Sequence, residues 1–119
     1  MTSRLPKHLF DALSAIRLAR EFTAGVSFEA YCGNALVRSA VERQLEILGE
    51  ACQRMTQEDA SIRERVVEIG FAIGLRNRII HGYDRVENAL VFDALLKDLP
   101  ALAQRLQSEL DRLAPPAGA

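Results

Sequence analysis

Within eight residues, Arg76 to Tyr83, the stretch RNRIIHGY gathers arginine, asparagine, one of the two histidines and one of the two tyrosines of the chain. Those residue types suit cleavage of an RNA phosphodiester without a metal. The ribose 2′-hydroxyl must lose a proton as it attacks the adjacent phosphorus, and the departing 5′-oxygen must gain one. Imidazole titrates near neutral pH and can serve either transfer. The phosphorane gathers negative charge, which a guanidinium fork can hold through paired, charge-assisted hydrogen bonds. Arg76 and His81 are therefore the candidate catalytic residues. Asn77 is a supporting group that can bond a phosphate oxygen or orient His81. The same types also suit the closing of a helix, because cations near a helix C-terminus interact with its last carbonyls and its dipole. The residues alone leave both readings open.

Either reading requires a helix to carry the stretch, and the pattern predicts one over Ile62–Ile80. Arg76 and His81, five apart, would be separated by roughly 140° of azimuth, whereas Asn77 and His81, four apart, share a face. Tyr83 follows on the loop, just past Gly82, which is expected to stop the helix in a left-handed conformation. Gly70 and Gly74 are also four apart. A glycine in a helix interior costs about 1 kcal/mol relative to alanine, so the pair suggests a close approach by another helix. Arg78 and Arg85 flank the motif and are candidates for RNA phosphate binding or for ordinary ion pairs.

The motif holds one histidine, yet the reaction involves two proton transfers. His8 lies in the first predicted helix, and nothing in the sequence places it nearby. A twofold homodimer that brought two motifs together would supply two His81 and two Arg76 to one cleft.

The remaining elements are helical too. Leu5, Leu9, Leu13, Ile16 and Ala19 repeat at helical spacing, giving a first helix over Leu5–Phe22. TAGVS breaks it, with Ser27 as N-cap of a short piece, FEAYCG. The segment Asn34–Met55 carries two apolar rows: Val37, Val41, Leu48, Cys52 and Met55, and Leu36, Ala40, Ile47 and Ala51. So wide an apolar arc needs partners on more than one side, in a monomeric bundle or across a dimer interface. Glu42, Glu46 and Glu50 line one face, read as solvated or arginine-paired. Asp59 or Ser61 can cap the next helix. Asn88–Leu113 forms the last, with Pro100 expected to kink or restart it near Asp98. The fold class is all-α, an antiparallel bundle of four to five helices over residues 1–114, followed by a tail at 115–119.

Composition narrows the classes. Apolar residues make up 49% and charged residues 26% of 119 residues, the balance of one soluble globular domain. A net charge of −1 supplies no global basic field for long nucleic acid, although a local cluster remains open. Cys32 and Cys52 lack metal-ligand spacing and are expected to be reduced, in the cytoplasm. No apolar run approaches membrane-spanning length, and TSRLPKHLFDAL lacks the apolar core of a signal peptide.

GLRNRIIHGYDRV closely resembles the signature of the HepT-like family, ribonuclease toxins of the HEPN superfamily: Arg, four intervening residues, His, one residue, Tyr. AVERQLEILGEA, Ala40 to Ala51, is similar to the family's second block. FDALLKDLPAL, Phe92 to Leu102, resembles its C-terminal helix. Together they cover most of residues 5–112. The resemblance implies an all-α homodimer whose Arg76 and His81 form a composite, metal-independent RNase site, with Asn77 in support and no cofactor. It further implies a cognate antitoxin of the minimal nucleotidyltransferase type, which transfers AMP from ATP onto Tyr83.

Overall fold

The computed structural model describes residues 3–82 and 87–113. Those residues form seven helices, α1 (Leu5–Phe22), α2 (Phe28–Cys32), α3 (Ala35–Glu58), α4 (Ile62–Arg65), α5 (Glu68–His81), α6 (Asn88–Leu96) and α7 (Asp98–Leu113), and no strand. None is long and apolar enough to cross a membrane.

Local signals set most of the boundaries. Pro6 opens α1, where its missing N–H costs nothing. The connection after α1 turns through Gly25, whose φ of 73° strongly favours glycine. Ser27 caps α2 by accepting from the Ala30 N–H at 3.1 Å, and Asn34 caps α3 by accepting from the Val37 N–H at 3.1 Å. Asp59 accepts from both the N–H and the hydroxyl of Ser61 and so fixes the turn into α4. The last helical stretch breaks at Lys97, as Pro100 requires: proline cannot donate to Leu96, so the helix restarts with Pro100 in the first turn of α7.

Two sequence-based expectations are corrected. The helix foreseen over Ile62–Ile80 is divided, because Val66 leaves the helical region at φ −124°, ψ 85°. The break turns Ile62, Val66 and Ile69 inward together, and all three are buried. Gly82 ends α5 at φ −87°, ψ 71°, so the stop is not a left-handed glycine.

α3 is the axis of the fold, packed by α1 on one side and α5 on another, while α7 lies on α1. α1 runs antiparallel to α3. The start of α1 lies beside the second half of α3, and Arg76 of α5 meets Gly49 of α3. Between them Leu9, Ile16, Leu45, Leu48, Met55, Ile69, Leu102 and Leu106 are almost wholly excluded from solvent. Each such side chain contributes about 1.5–3 kcal/mol of transfer free energy. Tyr31 is buried against Phe92 at 5.4 Å, and burial pushes its phenol up to about 12. The first apolar row of α3 enters the core as expected, apart from the half-buried Val37. The second divides: Ala51 is buried, Ile47 is half-buried and Leu36 is 80% exposed.

Candidate active site

Leu75 and Ile79 anchor the last turns of α5 in the core. That inward pair fixes the rotation of the helix. Arg76, next in sequence to Leu75, is half-buried against α3, whereas Asn77, Arg78, Ile80 and His81 are exposed.

The seat of Arg76 is Gly49. A Cβ on Gly49 would stand 2.2 Å from Arg76 Cβ, 2.8 Å from its Cδ and 2.9 Å from its Cγ. No side chain fits there, so a glycine in mid-helix lets the two backbones approach and lays the arginine stem across α3. This is the close approach that the sequence suggested at Gly70 and Gly74. At Gly74 a Cβ would meet nothing within 4 Å, and at Gly70 it would meet only the end of the Arg63 side chain. The missed signal was the glycine inside EILGEA.

Arg76 Nη1 donates to Asn77 Oδ1 at 3.2 Å, while Arg76 Nε is buried without a hydrogen-bond partner. Among the described residues Arg76 forms no ion pair. Asn77 thus holds the arginine, and no hydrogen bond joins it to His81 among the described residues. His81 is the last residue of α5, open to solvent. Arg78 is likewise exposed and without an ion pair among the described residues. Tyr83 and Arg85 lie outside the described residues.

The glutamate face of α3 is largely arginine-paired. Arg43 Nη1 meets Glu46 Oε2 at 3.1 Å and Arg54 Nη2 meets Glu50 Oε1 at 2.9 Å. Burial pushes the Glu42 carboxyl above its ordinary range, with Arg38 opposing the shift and Glu46 adding to it. Cys32 and Cys52 are free thiols, and burial raises Cys52 to about 12, far from a reactive thiolate. An apolar groove of about 950 Å³ lies between α1, α6 and α7 and includes none of the motif residues. His8 is buried in α1, lining a separate cleft.

The arrangement places a guanidinium, one of whose terminal nitrogens is bonded to an asparagine, just over one turn before an exposed imidazole. That set can bind a phosphate and exchange a proton with it. Comparison with known proteins gives the family. The model of a family described as "Ribonuclease HepT-like" matches residues 12–109. "Putative RNase MJ1380" of Methanocaldococcus jannaschii is 29% identical over 101 residues, 83% of this chain and 90% of that protein. "Probable ribonuclease HepT" of Thermococcus cleftensis is 28% identical over 100 residues, 84% of this chain and 90% of that protein. "Putative RNase TTE0752" of Caldanaerobacter subterraneus is 29% identical over 92 residues, 77% and 81% of the two chains. No solved structure matches the chain.

Proposed function

The chain belongs to the HepT-like ribonuclease family, and from that premise we propose that it is a metal-independent endoribonuclease acting as the toxin of a type VII-like toxin–antitoxin pair. One observation carries the reading. Arg76 is seated in the Gly49 notch with its Nε unpartnered and no carboxylate neutralising it among the described residues, and α5 then ends on an exposed His81. With no carboxylate paired to it among the described residues, the guanidinium suits an incoming anion.

In the reaction, an imidazole accepts the 2′-hydroxyl proton as that oxygen attacks phosphorus, and an imidazolium gives a proton to the departing 5′-oxygen. The products are a 2′,3′-cyclic phosphate and a free 5′-hydroxyl. Arg76, positioned by Asn77, holds the equatorial phosphoryl oxygens as their charge grows. Arg78 and Arg85 bind flanking phosphates.

Two imidazoles require two copies of the chain, related by a twofold axis. What supports this is the outer stripe of α5. Val67, Phe71, Gly74, Arg78 and His81 fall within about 40° of one line along the helix. Val67 is 67% and Phe71 37% exposed, and Gly74 opens onto empty space. Nothing among the described residues explains that glycine, and a second α5 crossing there would.

The antitoxin in this reading is a cognate nucleotidyltransferase. The Tyr83 phenol attacks the α-phosphorus of ATP, pyrophosphate leaves, and the attached AMP phosphate competes with RNA for Arg76 and His81. The test of the ribonuclease reading is an RNA digest in excess chelator. Fragments ending in 2′,3′-cyclic phosphate and 5′-hydroxyl are expected; intact RNA, or 5′-phosphate ends that require added metal, would overturn it.

A further inference from the structure

A second cleft, of about 560 Å³, opens where the start of α1 crosses the second half of α3. Its floor is His8, only 6% exposed. Apart from Glu109, it is the one polar residue in the buried set of the described residues, and the two are treated differently by the fold. Glu109 accepts from Arg65 at 2.9 Å and from Arg112 at 3.0 Å, whereas the His8 ring takes part in no hydrogen bond among the described residues. The residue is buried overall, yet neither ring nitrogen is sealed from solvent, so both stay open to a ligand in the cleft. Burial, reinforced by the Lys7 charge, lowers its pKa, so the ring is neutral at physiological pH, with one nitrogen donating and the other accepting.

The walls supply the rest of a ligand shell. Arg4 and Arg54 stand at the mouth, both exposed, and Gln53 and Gln57 add amides one turn apart on α3. Arg54 spends one nitrogen on Glu50 at 2.9 Å, leaving other donors of its fork free. Glu58 adds an acceptor to the same wall. A site for a bare anion would exclude carboxylates. A mixture of guanidinium, amide, imidazole and carboxylate matches a nucleotide unit, whose phosphate accepts and whose ribose hydroxyls donate.

Position connects this cleft with the motif. Gln53 lies about 40° around α3 from Gly49, where Arg76 is seated, and about 6 Å along the axis; Gln57 continues the same ridge. A strand leaving Arg76 can run over the half-buried Gln53 and the exposed Gln57 to His8.

We propose that this cleft is a second nucleotide subsite, which holds a phosphate ester and its ribose from the same RNA strand whose scissile linkage lies at Arg76 and His81. Its assignment to RNA rests on the ribonuclease reading; the existence of the site does not. Arg4, Arg54 and His8 bind the phosphate, and Gln53, Gln57 and Glu58 bind the sugar and base edge.

The chain has two histidines, so one substitution isolates the reporter. In His81→Ala the only imidazole NMR signals belong to His8, and added RNA is not consumed. The full-length variant is titrated separately with inorganic phosphate, with AMP and with a six-nucleotide RNA. The expected result is a saturable His8 shift with the RNA, weakened about tenfold by Arg54→Gln, and little response to phosphate or AMP at the same concentrations. A His8 response equally strong with AMP would make this a free-nucleotide site and overturn the strand assignment. A response to phosphate alone, an RNA response that Arg54→Gln leaves unchanged, or no response would each overturn the proposal. Failure of wild type to cut RNA would instead strike the ribonuclease reading, because the His8 titration needs no cleavage.

Discussion

Gly49 and Arg76 share one volume: a methyl group on the glycine would sit 2.2 Å from the arginine Cβ. Cβ belongs to the backbone frame and cannot swing aside as the tip of a side chain can, so the contact sets the distance between α3 and α5.

Gly49→Ala is therefore expected to act on both stability and catalysis. Overpacking costs about 1–3 kcal/mol, more than the ~1 kcal/mol that alanine gains as a helix former. Urea unfolding should show a lower midpoint, and RNA cleavage should fall more than the population of folded protein does. An alanine variant as stable and as active as wild type would remove the notch from the account.

Gly74 makes the opposite case, since nothing among the described residues stands within 4 Å of its Cβ position. In an isolated chain Gly74→Leu should be neutral or mildly stabilising through helix propensity alone. If two α5 helices cross there, the same change should convert a dimer to a monomer in sedimentation velocity and abolish cleavage. A variant that sediments as wild type does would relocate the twofold axis.

His8 gives stability a pH dependence of known sign. Its pKa in the folded protein lies below the ordinary 6.5, through burial first and the Lys7 charge second, with Arg54 lowering it and Glu58 and Asp11 opposing. Between the folded and unfolded values the unfolded chain binds more protons, so stability is complete above about 6.5 and falls as pH drops through that window. Urea midpoints at pH 7.5 and 5.5 should therefore differ more for wild type than for His8→Gln. An equal drop in both would assign the acid sensitivity to other groups.

Tyr83 bears the proposed switch. Incubation with a cognate nucleotidyltransferase and ATP should add mass in AMP units and silence cleavage, and Tyr83→Phe should escape both. Labelling that persists in the phenylalanine variant would place the modification on another residue.

The helices were legible because their signals are local. Leu9, Ile16, Leu48 and Leu106 repeat at helical spacing, Ser27 is a good cap, and Pro100 cannot sit in a helix interior. The motif was legible for the same reason, since Arg76, Asn77 and His81 lie within two turns. What was not legible depends on partners distant in sequence. Nothing in EILGEA says which residue of α5 will fall on Gly49, whereas Gly70 and Gly74 stand out by their spacing alone. The break at Val66 carries neither glycine nor proline; it follows from burying Ile62, Val66 and Ile69 together. His8 had no visible neighbours until α1 was laid against Arg54 and Gln57 of α3.

If His81 and Arg76 perform the chemistry, removing either side chain abolishes it without unfolding the chain. Wild type, His81→Ala and Arg76→Ala are incubated with RNA in chelator, at matched circular dichroism and sedimentation. His81 is exposed, so its removal should leave the fold intact. Cleavage by wild type and a loss of at least about a hundredfold in each variant are expected. Undiminished cleavage by folded, dimeric His81→Ala would contradict the assignment.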